Sequence, residues 1–347
     1  MKIGFLVNRI STESARYGTT LLAHEAQKRG HQVGYITPED FTYRASGELV
    51  VRARLAPKKP LQGYREFFAA IQDESGTRTE TLSITDFDVL MLRGNPAEEA
   101  EERPWAQTAG IVFGQEASRR GVLVLNDPWG LSKALSKLYF QRFPEAVRPE
   151  TLISRDPEEI KAFAADRRTV LKPLQGSGGE SVFLLREDEE ANVNQIIEAV
   201  RAHGYVVAQE YLPAAEEGDV RLWLLNGRPL RSGDQIAAFR RRRAEGDLRS
   251  NMHVGGRAEA AEPTDEQLRI AEQVRPRLLQ DGMFLVGLDL AGDKLLEVNV
   301  FSPGGLYSSQ RTRKTRFTGV VIDAIEAKLT AARLYPGSFS NAQLAML

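Results

Sequence analysis

Residues 287–300 read GLDLAGDKLLEVNV. Two short apolar runs flank Ala291, Gly292 and Asp293, and a glycine between alternating segments is a hairpin signal. A three-residue loop over Ala291 to Asp293 predicts that the odd positions share a side, so that Asp289, Glu297 and Asn299 converge on one face of two neighbouring strands. On strands otherwise built from Leu and Val, two carboxylates and an amide oxygen are costly to bury unless a cation neutralises them. Hard oxygen ligands of this kind suit Mg²⁺ that keeps some waters and takes phosphate oxygens. The competing reading of the same alternation is an ordinary solvent-facing polar face.

The flanking runs YVVAQEYL (205–212), VRLWLLN (220–226) and FLVGLDL (284–290) are separated by turn-rich links, and a helix near Gly319 to Arg333 closes the segment. Together they predict an α+β unit with a mostly antiparallel sheet. Between Arg231 and Glu262 the sequence predicts one long polar loop, which includes the run Arg240 to Arg243. A basic run in a loop is usually solvated; Arg241 is the exception to watch as a fork for substrate carboxylates.

Further upstream, TVLKPL (169–174) and SVFLLR (181–186) flank QGSGGE, giving strand, glycine loop, strand. Gly176, Ser177, Gly178 and Gly179 do not follow the P-loop pattern. Their backbone N–H groups are nonetheless open enough to fold over a phosphate chain, although a plain tight turn reads the same way. Lys172 shares a strand face with Val170 and Leu174, so it aims a cation at an otherwise apolar side. Lys133 and Lys137 lie four apart on a helix signal over Leu131 to Phe140, and either supplies a second phosphate contact unless both are simply solvated.

The first 126 residues alternate strand and helix signals: strands at Lys2–Val7, His31–Ile36, Phe87–Leu92 and Val122–Leu125, with a helix from about Pro104 to Arg120. Short, nearly all-apolar strands of this kind predict a parallel sheet covered on both faces, a small Rossmann-like α/β domain. Asn126, Asp127 and Pro128 mark its end. The segment after Pro336 is small and polar and is expected to fray.

Composition narrows the function. The 347 residues carry 46 Lys and Arg against 47 Asp and Glu, a net charge of −1 that offers no global field for nucleic acid or anionic membrane. The absence of cysteine excludes a disulfide framework, a thiol nucleophile and thiolate metal sites, and four scattered histidines leave little for an imidazole zinc site. Neither a signal peptide nor a span-length apolar run is legible, so the expected location is cytoplasmic.

The ordered set of Lys137, Lys172 with its glycine loop, QEYL, GDVRLWLLNGRPL, RSNMHVGGR and GLDLAGDKLLEVNVFSP resembles the ATP-grasp ligases, and among them the bacterial glutathione synthetases. The likeness runs from MKIGFLVNRI to VVIDAIEAKL. It implies a Rossmann-like pre-ATP-grasp domain (1–126), an ATP-grasp small lobe with the glycine flap (127–205), a C-terminal lobe with the metal site (206–335) and a tail (336–347).

By the same resemblance Lys137 and Lys172 contact nucleotide phosphates, Gly176 to Gly179 close over them, and Gln209, Glu210, Tyr211 and Leu212 form the hinge that reads adenine. Asp289, Glu297 and Asn299 hold the metal, and Arg221, Arg249 and Asn251 face the phosphates and the reacting carboxylate. The implied cofactors are ATP as co-substrate and Mg²⁺, with Mn²⁺ as the alternative ion. The implied chemistry is a carboxylate activated as an acylphosphate and captured by an amine, with amino acids or small peptides as substrates and a homo-oligomer, dimer or tetramer, as the assembly.

Two segments depart from the family. Arg93-Gly94-Asn95-Pro96-Ala97-Glu98 lacks a lysine and an aspartate, and Ser302-Pro303 continues into Gly304-Gly305-Leu306-Tyr307-Ser308. Both bear on the substrate. γ-Glutamylcysteine plus glycine is the first expectation; other amino acids or peptides joined by the same chemistry, or a non-catalytic nucleotide-binding protein, are the alternatives.

Overall fold

A computed structural model describes residues 1–176, 181–185, 192–242 and 257–347. Its leading sheet is built on parallel strands β1 (Lys2–Leu6), β2 (Gln32–Ile36), β6 (Val89–Leu92) and β7 (Leu123–Leu125), in the order β2-β1-β6-β7. Beyond β2 it continues antiparallel through β4 (Leu49–Leu55), which pairs with β3 (Phe41–Tyr43) and β5 (Arg78–Ser83). The expected all-parallel sheet is thus corrected. The half-exposed strand RTETLS has no apolar run by which to announce itself, and its partner β4 alternates only in its second half. Helices α1 (Gly18–Lys28), α2 (Tyr64–Gln72) and α3 (Ala109–Arg119) cover the sheet; α3 starts five residues later than expected, after a separate turn at Pro104–Ala106.

Asp127 opens a new helix instead of a plain turn. Its carboxylate accepts the Gly130 N–H at 2.9 Å and caps α4 (Pro128–Lys133), a contact of about 1 kcal/mol. Gly130 has to be glycine, because a Cβ there would lie 1.8 Å from the Asp281 carbonyl oxygen.

A second, four-stranded sheet has the order β10-β9-β11-β8, from β8 (Thr151–Ser154), β9 (Thr169–Pro173), β10 (Phe183–Leu185) and β11 (Val206–Glu210). Helices α5 (Pro157–Ala164) and α6 (Val193–Arg201) back it, and the strand pair on either side of the glycine loop is antiparallel as expected. The third sheet centres on β12 (Asp219–Leu225), with β13 (Arg228–Pro229), a small pair β14 (Arg231–Ser232) and β15 (Gln235–Ile236) beside it. It then takes in β16 (Ala238–Arg242), β17 (Arg257–Ala260), β18 (Leu285–Ala291) and β19 (Lys294–Asn299). The long loop expected from Arg231 to Glu262 is therefore largely sheet in its described parts. Three consecutive arginines in β16 and the alternating charges of β17, with no apolar run in either, hide the strand pattern.

Helices α7 (Asp265–Gln280), α8 (Leu306–Arg313), α9 (Phe317–Leu334) and α10 (Asn341–Met346) complete the chain. The tail expected to fray is docked: Ala345 is fully buried, and the Asn341 side chain bonds the Val124 N–H, the Val124 carbonyl and Asp127, each at 2.9 Å. Composition alone cannot show that a polar side chain will complete a distant strand end.

Two apolar cores join the leading sheet to the third one: Leu6, Leu90 and Val124 share a cluster with Leu222, Val286 and Leu288, and Phe5 and Met91 share another with Trp223 and Val321. The four-stranded sheet has a core of its own, formed by Ile160, Leu171, Leu185, Ile197, Val200, Val206 and Ala208.

Candidate active site

The β18–β19 hairpin turns over two residues, Gly292 and Asp293, and not three; Gly292 supplies the positive φ of 57° that the tight turn requires. The ladder pairs Ala291 with Lys294 and Leu290 with Leu295, then slips by one residue so that Asp289 stands opposite Glu297 and Gly287 opposite Asn299. The extra residue, Leu296, restores the expected facing of the two carboxylates despite the shorter loop.

Asp289 is almost completely buried, and two guanidinium groups and an amide surround it. Arg221, its register partner on β12, donates from Nε and from Nη2, the latter at 3.0 Å. Arg241 on β16 reaches Oδ2, the oxygen that also accepts Arg221 Nη2, at 2.7 Å, and Asn299 Nδ2 donates to the same oxygen at 3.2 Å. Burial alone would raise this carboxyl, but Arg221 and Arg241 outweigh it and hold it below the usual range. Arg241 also grips Asp219 through Nε at 2.9 Å and Nη2 at 2.5 Å.

Within the arginine run the neighbours behave differently. Arg242 pairs with Glu259 on the surface and Arg240 with Glu217 at 3.5 Å, as solvated side chains do, whereas Arg241 is inside. Arg243, Arg249 and Asn251 lie outside the described residues.

Facing this group across a cleft of about 1320 Å³ are the two lysines of the other lobe. Lys172 Nζ donates to Gln209 Oε1 at 2.8 Å, and Lys137 Nζ to the carbonyls of Pro173 and Gly176 at 2.8 and 2.9 Å. Burial pushes both ammonium groups down. For Lys137 the charge of Lys172 pushes further while Glu297 opposes, leaving it at about 8; Glu297 also opposes the fall at Lys172. Glu297 thus lies within electrostatic reach of both lysines and directly across from Asp289. Lys133 is elsewhere, on Asp281 at 2.5 Å.

The strand end Gln209 to Leu212 lines the same cleft. The N–H groups of Glu210 and Tyr211 are engaged by the carbonyls of Glu150 and Arg168, both at 2.9 Å. Gly176 borders the cleft; Ser177, Gly178 and Gly179 lie outside the described residues.

The donor set suits a hard divalent cation. Glu297 is exposed into the cleft, Asp289 retains lone pairs beyond its arginine contacts, and Asn299 turns its nitrogen onto Asp289 and leaves its amide oxygen for a ligand. Sequence reasoning missed Asp219, although Asp219 and Arg221 share one face of a strand by simple alternation and that signal was available.

This architecture is that of known ATP-grasp ligases. The chain is similar to the D-cycloserine synthetase DcsG, with a TM-score of 0.63 at 15% identity over 94% of this chain and 99% of that one. It is also similar to the ATP-grasp ligase PsnB complexed with minimal precursor, Mg and ADP, with a TM-score of 0.57 at 17% identity over 94% and 98%. Both likenesses define the fold. Closer relations come from sequence. Residues 1–131 match the prokaryotic glutathione synthetase N-terminal domain, and residues 136–314 match the prokaryotic glutathione synthetase ATP-grasp domain. Glutathione synthetase of Escherichia coli strain K12 is 32% identical over 333 residues, 95% of this chain and 99% of the relative; that of Vibrio vulnificus strain YJ016 is 31% identical over 335 residues, 95% and 99%. The chain belongs to the prokaryotic glutathione synthetase family. It is an ATP-dependent carbon–nitrogen ligase, and the non-catalytic alternative falls away.

Proposed function

We propose that this ligase joins γ-glutamylcysteine to glycine, with the donor carboxylate activated by ATP as an acylphosphate and the amine then displacing phosphate. The observation that carries this reading is the meeting, across one cleft, of Lys137 and Lys172 from the four-stranded lobe with Asp289, Glu297 and Asn299 from the third sheet.

In this reading Lys137 and Lys172 neutralise the nucleotide phosphates, and their lowered proton affinity is relieved when anions arrive. Asp289, Glu297 and Asn299 would hold Mg²⁺, which when bound supplies charge neutralisation at the phosphate oxygens; Mn²⁺ fits the same oxygen donors. Arg221, fixed by Asp289 and by the Gly304 carbonyl at 2.8 Å, presents a preoriented cation beside the reacting carboxylate. Arg249 and Asn251 are assigned to the same end, Gly176 to Gly179 to a closing flap that keeps water from the acylphosphate, and Gln209 to Leu212 to the adenine edge.

The division into 1–126, 127–205, 206–335 and 336–347 is part of the same proposal, supported by the three sheets. So are a cytoplasmic location and a dimeric or tetrameric assembly. Among the described residues no helix is long and apolar enough to cross a membrane.

A second reading, the same chemistry on other amino acids or peptides, is favoured by Asn95, Gly304, Gly305 and Tyr307, from the two segments that depart from the family resemblance, lining the same cleft. The test is ADP release with γ-glutamylcysteine and glycine against a panel of other donors and amines, followed by mass spectrometry of the product. Amide formation confined to the panel would replace the first reading by the second.

A further inference from the structure

Lys137 opens a short helical turn, Lys137–Arg142, that follows α4 and leads toward the four-stranded sheet. On one side it is bonded to that sheet. Its backbone N–H donates to the Leu174 carbonyl at 3.0 Å and its Nζ to the Pro173 and Gly176 carbonyls, at and just past the end of β9, the strand of Lys172. On the other side a buried carboxylate holds the segment. Asp281, 1% exposed, accepts Lys133 Nζ on Oδ1 at 2.5 Å and the Tyr139 hydroxyl on Oδ2 at 3.0 Å, with Arg277 more distant at 3.9 Å. The two bonds straddle Lys137 in the chain. Asp281 itself ends α7 and precedes β18, the strand of Asp289.

This is a poor place for a carboxylate whose only use is stability. A helix C-terminus already carries partial negative charge, burial strips water from the anion, and a buried ion pair is often no more stable than apolar residues in its place. What such a group supplies is one geometry. Apolar packing keeps the Tyr139 ring inside, edge-on to Phe143 at 5.4 Å and in one core with Leu131 and Leu278, but grease does not set its depth; the directional bond to Asp281 does. Burial and the Asp281 charge both push the phenol up, so it remains the donor.

We infer that Asp281 is a positioning residue for Lys137: through Tyr139 and Lys133 it fixes the point from which the phosphate-binding ammonium reaches toward the carboxylates of β18 and β19. The inference rests on the reading of Lys137 as a phosphate contact and adds the group that sets its register with the metal side. Asp281 does not line the cleft and acts only through its two partners. A misplacement of about 1 Å is enough to cost a preorganised charge much of its effect.

The test asks whether Asp281 and Tyr139 act through Lys137. Affinity for the non-hydrolysable ATP analogue AMPPNP with Mg²⁺ is measured by calorimetry in the unaltered chain and in Lys137→Ala, with Tyr139→Phe and Asp281→Ala each introduced into both. In the unaltered chain each is expected to weaken AMPPNP binding by about three- to tenfold, and in Lys137→Ala by less than about twofold, because no ammonium is left to place. In turnover Tyr139→Phe raises the KM for ATP by a similar factor and leaves that of the donor within about twofold. If Asp281→Ala does not fold, Tyr139→Phe, which keeps the buried ring, decides alone. Unchanged AMPPNP affinity in Tyr139→Phe, or the same loss with and without Lys137, overturns the inference while the phosphate contact stands. Unchanged affinity in Lys137→Ala sinks the phosphate contact itself, and the positioning role with it.

Discussion

Arg221 stands directly across the ladder from Asp289, and its guanidinium holds that carboxylate from two nitrogens inside the third sheet. Asp289 therefore has a structural partner before any cation arrives, whereas among the described residues Glu297, its neighbour on the other strand, makes no side-chain hydrogen bond or ion pair.

The two carboxylates should separate on mutation. Asp289→Asn takes the carboxylate charge from Arg221 and from one of the three Arg241 contacts in the interior and is expected to cost about 3–5 kcal/mol in urea unfolding. Glu297→Gln is expected to change stability by less than about 0.5 kcal/mol while raising the Mg²⁺ concentration needed for half-maximal activity. Because the folded protein holds Asp289 below its ordinary value, its contribution is complete above that value and is lost as acid protonates it in the fold. The difference between the unaltered chain and Asp289→Asn should accordingly shrink at the acid end of a pH series.

Lys137, at about 8 in the free protein, loses its charge just above neutrality. The kcat/KM for ATP is expected to fall above pH 8, by up to about tenfold per unit, and Lys137→Arg to flatten that limb. Lys172→Ala should lower turnover by about 10²–10³, the loss typical of one preorganised charge donor.

Lys328 offers a pH test away from the cleft. It is buried against the Phe284 ring, its Nζ bonds the Leu347 carbonyl at 2.6 Å, and burial lowers it from 10.5 to about 7. Between those values the unfolded chain binds the extra proton, so stability from this group rises with pH across that window. Lys328→Met should remove the rise, seen as Tm differences from the unaltered chain that change steadily between pH 7 and 10.

Asn341→Ala removes three bonds to Val124 and Asp127 at once. A loss of roughly 2 kcal/mol is expected, with the Val124 amide exchanging faster in deuterium.

Sequence reading succeeded where chemistry repeats at a fixed period. Alternation put Asp289 and Glu297 on one face even though the turn is a residue shorter than expected, because a bulge at Leu296 compensated. It likewise set Lys172 apart on an apolar strand. It fell short where a polar side chain is buried by a partner far along the chain: Arg241 stands out from its run in the sequence as a fork for substrate carboxylates, but only the pairing of β12 with β16 brings it against Asp219 and Asp289. Asn341 in the tail and the strand RTETLS were hidden for the same reason, since their roles depend on contacts that no local window contains.

The separate interior of the four-stranded sheet bears on how the enzyme takes up nucleotide. Its neighbours are fastened to one another by shared greasy seams and by α10, whereas among the described residues the piece carrying Lys172 has no such seam in common with them. Because that piece keeps its oily lining to itself, drawing it away from its neighbours would wet little of that lining.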